Sequence, residues 1–255
     1  MDDSYCIETV GLTKDYGKKR AVDALELRVA RGTFYGFLGP NGAGKSTTIK
    51  MLTGLTALSG GSARILGFDL ARESLEIKGR IGVVPEDLCL FENLTAREYL
   101  TFIARMYRMP RNVISDRCEE LLVLLGLADT DKTLVLEFSH GMKKKLSLAA
   151  ALIHNPELLF LDEPFEGIDP IASRTIRAVL ERLVQREATI FLTSHILEIV
   201  EKLCTHVGII HQGRLVQQGP LDSLAEGVTL EEAFVKAVGE PEQAAAGLSW
   251  LTGAE

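Results

Sequence analysis

No run of apolar residues in this 255-residue chain approaches the roughly 20 needed to cross a bilayer as a helix. The most apolar stretch, LLVLLGLA at 121–128, is far too short. The N-terminal MDDSYCIETV is acidic and lacks the apolar core of a secretory leader. The expectation is a chain that stays in the cytoplasm and does not span a membrane by itself. Positive charge is not in excess: 28 Lys and Arg against 35 Asp and Glu leave a net charge of −7. That balance disfavours a surface built to neutralise long runs of nucleic-acid phosphate, and no nucleic-acid partner is expected. Cys6, Cys89, Cys118 and Cys204 are scattered, with no CxxC pair and no histidine at metal-ligand spacing. They read as reduced, mostly buried thiols. There is no internal repeat and no low-complexity linker.

What is present is ample material for a core. At 46% hydrophobic residues, a chain of this length holds one large domain, or a domain with a subdomain. The first forty residues carry three extended runs, CIETVGL, LELRV and TFYGFL, separated by turn-rich TKDYGKKR and ARG. A helical pattern follows in GKSTTIKMLTGL, then strands at SARILG and RIGVVP, so β and α units alternate and a mostly parallel sheet is implied. Between about Leu88 and Asn155 the strand signal vanishes. Ile114, Cys118, Leu121, Leu122 and Leu125 fall on one helical face, which predicts an inserted helical subdomain. Alternation resumes with ELLFLDE, PIASRTIRAVLERLVQ and TIFLTS, then paired strands HVGIIHQ and RLVQQG. From Leu221, LDSLAEG and TLEEAFVKAVG predict two short helices before an alanine-rich, loosely held tail.

One motif fixes the chemistry. GPNGAGKST, with Gly39, Pro40, Asn41, Gly42, Ala43, Gly44, Lys45, Ser46 and Thr47, satisfies GxxxxGK[ST] between a strand and a helix. Its glycines let backbone N–H groups wrap phosphates at a helix N-terminus, Lys45 reaches the terminal phosphates, and Ser46 is placed to ligate Mg²⁺. A magnesium nucleotide also needs a carboxylate behind the cation, and the apolar strand LLFLDE ends in Asp162 and Glu163. Asp162 would hold the metal's water shell, and Glu163 would face the γ-phosphate and polarise an attacking water. In FSHGMKKKL, Ser139 suits a helix N-cap and Gly141 permits close backbone approach, together an anion cradle. Lys143, Lys144 and Lys145 read individually as an exposed helix face.

Taken in order, GPNGAGKST, the FSHGM stretch, LLFLDE, GIDP and TSH resemble the ATP-binding subunits of ABC transporters over roughly residues 5–220. The terminal TLEEAFVKAVG is similar to the tail of subunits that serve ABC-2 type exporters. The resemblance implies a P-loop NTPase, an α/β fold with a mostly parallel sheet flanked by helices. It adds an antiparallel β subdomain at the N-terminus and the inserted helical subdomain at 88–155. Residues 1–220 would form the ATPase domain and 221–255 a C-terminal helical extension. Function would be ATP hydrolysis coupled to transport, with ATP and Mg²⁺ bound. The partners would be a separate transmembrane permease and a second ATPase subunit, identical or different, at the cytoplasmic face of the membrane.

Position by position, the resemblance gives Tyr16 to adenine and His195 to the γ-phosphate and the attacking water. It gives Ser139, His140, Gly141 and Met142 to the nucleotide of the opposite subunit, and Asp169 to the dimer seam. Tyr16 also reads as a turn aromatic packed on the sheet, and Asp169 as the N-cap of a helix beginning at Pro170. Three departures stand out. His140 and Met142 replace glycine and glutamine of the usual LSGGQ, and Glu86 in VVPEDL replaces the glutamine that touches Mg²⁺. In PFEGIDP, Phe165 and Glu166 stand where small polar residues are common. Phe91, Leu94 and Tyr99 serve equally as a permease-docking surface or as core. Two other classes remain open: an ABC protein of DNA repair or translation, disfavoured by the missing coiled coil and tandem domain, and a regulatory subunit that binds ATP without hydrolysing it.

Overall fold

The computed structural model describes residues 4–130, 132–224 and 226–239. The alanine-rich tail lies outside them. The chain opens with β1 (Tyr5–Tyr16), β2 (Lys19–Leu25), β3 (Arg28–Ala30) and β4 (Phe34–Leu38). The stretch TKDYGKKR, expected to be turn, is mostly strand. β1 runs to Tyr16 and pairs antiparallel with β2 from Lys19, leaving only Gly17 and Lys18 to turn. The left-handed backbone of Gly17 (φ 59°) makes so short a connection possible. The expected strand LELRV is broken instead, because Glu26 and Leu27 lie between β2 and β3.

Next come α1 (Lys45–Leu52), β5 (Gly60–Ile65), β6 (Phe68–Asp69), α2 (Ser74–Arg80) and β7 (Ile81–Val84). The SARILG strand does not join the parallel sheet that the alternating pattern implied. It pairs antiparallel with β1, completing a first sheet in the order β2-β1-β5-β6 with β3 on β1. Three helices follow, α3 (Ala96–Met106), α4 (Arg111–Leu124) and α5 (His140–Leu152). The remainder is β8 (Leu158–Asp162), α6 (Pro170–Val184), β9 (Thr189–Ser194), α7 (Leu197–Leu203), β10 (His206–His211), β11 (Arg214–Pro220), α8 (Leu221–Leu224) and α9 (Leu230–Val238).

The second sheet has the order β11-β10-β4-β9-β8-β7, parallel throughout except for the antiparallel edge strand β11. β4, β8 and β9 are buried at every position, as expected of strands covered on both faces. Alternation divides their side chains between two cores. Leu158 and Phe160 of β8, with Phe37 and Phe191, face α1 and the antiparallel sheet. Leu159 and Leu161, with Leu38 and Leu192, face the helical side. Phe37 and Phe160 each contact Phe191, with ring centroids 5.2 and 5.6 Å apart.

The helical insertion rests on the second core. Thr95 starts α3 with a capping box in which its side chain accepts from the Glu98 N–H, and the Glu98 carboxylate accepts from the Thr95 N–H. Ile114, Cys118, Leu121, Leu122 and Leu125 are buried as the periodicity predicts, in the same continuous apolar cluster as Leu159 and Leu192. Leu230 at the start of α9 joins that cluster and is fully buried. Of the scattered thiols, Cys6, Cys118 and Cys204 are buried and Cys89 is exposed. Among the described residues no helix is long and apolar enough to cross a membrane.

The strand order sets up the site. β4, β9, β8 and β7 are consecutive parallel neighbours, so their carboxyl ends emerge along one edge. The segments that leave them there are the glycine-rich loop, His195, Glu163 and Glu86.

Candidate nucleotide site

At that edge an open cleft of about 440 Å³ runs along the glycine-rich loop. Asn41, Gly42, Gly44, Lys45, Ser46 and Thr47 line one wall. Glu86, Glu163 and His195 stand opposite, and Tyr16 lies at the rim. Gly44 has φ 113°, and a Cβ there would lie 2.7 Å from the Ala21 carbonyl oxygen. A Cβ at Gly39 would collide with the Ile210 carbonyl oxygen. These two glycines let the loop pass between β2 and β10 and deliver its free N–H groups to the start of α1, where an anion is favoured. Ala43 is buried at the base of the loop, its N–H donating to the Pro40 carbonyl.

Lys45 is 7% exposed, and its ammonium bridges the site. It donates to the Gly39 carbonyl at 2.7 Å and the Pro40 carbonyl at 3.4 Å, and stands 3.8 Å from Glu163 Oε1. The other carboxylate oxygen, Oε2, lies 3.0 Å from His195 Nδ1 and accepts the His195 N–H at 3.3 Å. Glu163 therefore points into the cleft between a fixed cation and an imidazole. Its backbone is unusual: φ is +48°, a left-handed conformation uncommon for a residue with a side chain. That turn is what swings the carboxylate off the strand line and away from Asp162.

Asp162, 3% exposed, lies one layer deeper and accepts a 2.6 Å hydrogen bond from the Thr193 hydroxyl. The same hydroxyl accepts from the Glu163 N–H at 3.1 Å. Thr193 is thus a hinge between both acidic residues that the sequence reading did not single out. Its position in TIFLTS, next to β8 in a parallel register, is the signal that would have found it. Ser46 Oγ donates to Glu86 Oε2 at 3.3 Å, so Glu86 faces the loop rather than turning away. The hydroxyl and carboxylate are hard oxygen donors of the kind Mg²⁺ selects. Lys19, Ala21 and Glu166 also line the cleft and were not foreseen.

Tyr16 is 48% exposed, with the Lys14 ammonium 5.0 Å from its ring centroid. It ends β1 and lines the cleft with about half of its surface exposed. Residues 139–142 and Asp169 do not line the cleft. Ser139 caps α5 by accepting the Met142 N–H at 3.2 Å; Ser139 and His140 are exposed, Gly141 is half-buried, and Met142 packs on the helical-side core. His140 sits in ordinary helical backbone, its ring against Gly167, so replacing glycine there costs no strain. Asp169 caps α6, accepting the N–H groups of Ile171 and Ala172 at 2.9 Å each. Those bonds, from Ala172 above all, hold its carboxyl below the usual carboxylate range.

The lysine run departs from expectation. Lys143 is half-buried and pairs with Glu92 at 2.5 Å. Lys144 is only 4% exposed, so it is no part of a solvated face. Phe165 turns inward to the helical-side core, which explains a large apolar residue in that loop. Of the three docking candidates, Tyr99 is buried and Leu94 packs on the core, while Phe91 is 55% exposed. Phe91 meets Phe102 edge-on at 5.2 Å, forming an exposed aromatic pair.

The chain is similar to known proteins over most of its length. The family model described as ABC transporter matches residues 22–166. The chain is 45% identical to the bacitracin transport ATP-binding protein BcrA of Bacillus licheniformis, over 87% of this chain and 72% of that protein. It is 37% identical to the linearmycin resistance ATP-binding protein LnrL of Bacillus subtilis (strain 168), over 92% and 76%. A daunorubicin resistance ATP-binding protein, DrrA3 of Streptomyces coeruleorubidus, is 39% identical over 84% and 68%. A solved structure titled as the ATP binding subunit of an ABC transporter superposes with a TM-score of 0.85 at 31% identity, covering 91% of this chain and 99% of that one.

The Thr193 hinge makes a direct prediction. Thr193→Val removes the donor to Asp162 and the acceptor for the Glu163 N–H, leaving two buried polar groups unpaired, and is expected to cost about 1–3 kcal/mol of stability. A urea titration should show a lower midpoint at unchanged slope, with Thr193→Ser close to wild type; equal midpoints for all three proteins would contradict the assignment.

Proposed function

Since this chain belongs to the ABC transporter ATP-binding family, whose members hydrolyse ATP to power transport, we propose that it drives an exporter as a peripheral subunit on the cytoplasmic face of a membrane. The observation that carries this reading is the convergence of Lys45, Ser46, Glu86, Glu163 and His195 on one cleft beside the glycine-rich loop. In it the loop N–H groups and the N-terminus of α1 hold the phosphates of ATP, and Tyr16 stacks on adenine. Lys45 uses its remaining donor capacity on the β- and γ-phosphate oxygens. Ser46, Glu86 and Asp162 would hold Mg²⁺, directly or through its water shell, and the bound ion would neutralise phosphate charge.

Hydrolysis requires a water aligned opposite the β–γ bridging oxygen. Glu163 orients and polarises that water, which attacks the γ-phosphorus as the bond to the bridging oxygen breaks, giving ADP and inorganic phosphate. His195 contacts the γ-phosphate and steadies the Glu163 carboxylate, consistent with their 3.0 Å contact. Because Ser139, His140, Gly141 and Met142 do not line this cleft, they serve the nucleotide of a second ATPase subunit, identical or related. Asp169 lies at the seam. Two such subunits close around two ATP molecules and reopen after hydrolysis, and the difference in nucleotide affinity between the two states performs work on the permease. The exposed Phe91 and Phe102 pair suits a docking contact with that separate transmembrane chain.

The names of the relatives, bacitracin transport and linearmycin resistance, support export over import for this chain. A reading in which ATP binds without hydrolysis is disfavoured by Glu163 and His195, which stand together in the cleft.

Glu163→Gln should lower the rate of phosphate release about 10²- to 10⁴-fold while Mg²⁺-ATP still binds. Turnover equal to wild type would favour the non-hydrolytic reading. Glu86→Gln removes a charge about 4 Å from the expected cation, an interaction on the order of 4 kcal/mol per unit of cation charge at an effective dielectric near 20 before hydration offsets it. Magnesium titrations of nucleotide binding should therefore shift to higher Mg²⁺ in Glu86→Gln; superimposable titrations would exclude a direct metal role for Glu86.

A further inference from the structure

Lys144 is the one lysine of the 143–145 run whose ammonium is enclosed in the protein. It reaches from the second turn of α5 across to the loop that leaves β8, where it donates to the carbonyl of Glu163 at 2.7 Å and that of Glu166 at 2.6 Å. The same face of α5 lies close to the same loop at two more points. The His140 ring packs on Gly167, and a Cβ at Gly141 would stand 3.5 Å from Asp169 Oδ2. The first turns of α5 and residues 163–169 therefore form one joint, with Lys144 as its polar tie.

We propose that Lys144 is a positioning residue for hydrolysis, fixing the backbone at Glu163 so that its carboxylate meets the attacking water, and coupling that carboxylate to the turn that begins at Ser139. The inference rests on Glu163 being the catalytic carboxylate. Glu163 holds a left-handed φ of +48°, a conformation that persists only when its surroundings over-determine it. Within the loop, its carbonyl receives only a long 3.3 Å bond from the Glu166 N–H. The shorter, charge-assisted bond from Lys144 is the stronger restraint. The Glu163 N–H is bound on the other side by Thr193, so the peptide units flanking its Cα are tied to two different elements, β9 and α5.

The chemistry of the side chain points the same way. Burial pushes the Lys144 ammonium's pKa down, while Glu166, Glu163 and Glu86 pull it back up. An enclosed ammonium is costly, and a purely apolar contact between α5 and the loop would be served as well by leucine or methionine. What methionine does not supply is a donor that holds two carbonyls of a turn at once. Since α5 also carries Ser139, Gly141 and Met142, any shift of that helix when a second subunit engages is passed through Lys144 to the Glu163 backbone.

The test compares Lys144→Met, Lys144→Arg and Lys144→Gln with wild type in the full chain, measuring phosphate release, Mg²⁺-ATP binding by calorimetry and thermal unfolding. Lys144→Met should keep its nucleotide Kd within about twofold yet lose kcat by about 10- to 100-fold, because misplacing a reacting group by an ångström costs that order. Lys144→Arg, which retains charge and reach, should recover most of kcat. Wild-type kcat in Lys144→Met, a Kd that weakens as much as kcat falls, or an arginine variant as impaired as methionine would each overturn the proposal. Should Lys144→Met not fold, the other two decide: arginine active and glutamine impaired supports the role, and equal kcat for both contradicts it. Glu163→Gln separates this from the underlying assignment. If it retains full turnover, the catalytic role of Glu163 fails; if it is inactive while Lys144→Met is not, only the role of Lys144 fails.

Discussion

The structure turns on a buried charge contact: the Lys45 ammonium and the Glu163 carboxylate, each side chain 7% exposed, 3.8 Å apart at the carboxyl edge of a parallel sheet. Neither group is stable in such a place alone, because desolvating an unpaired charge costs several kcal/mol. Much of the surrounding sequence exists to make the arrangement tolerable. The Gly39 and Pro40 carbonyls take two of the lysine's protons, His195 takes one oxygen of the glutamate, and Thr193 satisfies the backbone behind it. The site is left with donor capacity on one side and a carboxylate on the other, facing a cleft able to admit a triphosphate between them.

Strand order supplies the precision. β7, β8, β9 and β4 are neighbours, so Glu86, Glu163, His195 and the glycine-rich loop converge although they lie scattered between residues 39 and 195. Each strand is locked on both faces by apolar side chains, Phe37, Phe160 and Phe191 below and Leu38, Leu161 and Leu192 above. Side chains launched from such rigid ends vary little in position. The helical insertion shares the upper core, and Ser139 and Gly141 are held at the far end of α5 from the sheet's buried centre. One chain thus carries two unlike surfaces, the cleft beside the glycine-rich loop and the capped start of α5, which the proposed function brings together by pairing two subunits.

Much of this was legible in the sequence because its cause is local. GPNGAGKST dictates its own loop, LLFLDE is a fully buried strand that ends in two acids, and the Ile114, Cys118, Leu121, Leu122 face follows helical period. What misled is equally physical. TKDYGKKR looks like turn because polar residues cover an edge hairpin, yet its backbone pairs to within two residues of the tip. SARILG has strand composition, but which sheet it joins depends on pairing with β1 some fifty residues earlier, which no local pattern encodes. Lys144 reads as solvated because each lysine of a polar run is most cheaply placed in water; only the position of the 163–166 turn buries the middle one. Thr193 escaped notice since its role lies in the register between β8 and β9.

A triphosphate held in the cleft beside Lys45 is the feature on which every proposed role depends. Titration calorimetry of the purified chain with ATP in the presence of Mg²⁺ tests this most directly. Saturable binding that is lost or weakened by orders of magnitude in Lys45→Ala, with the fold intact by circular dichroism, is the predicted result. No saturable binding by the wild-type chain, or equal affinity in the Lys45→Ala protein, would contradict it.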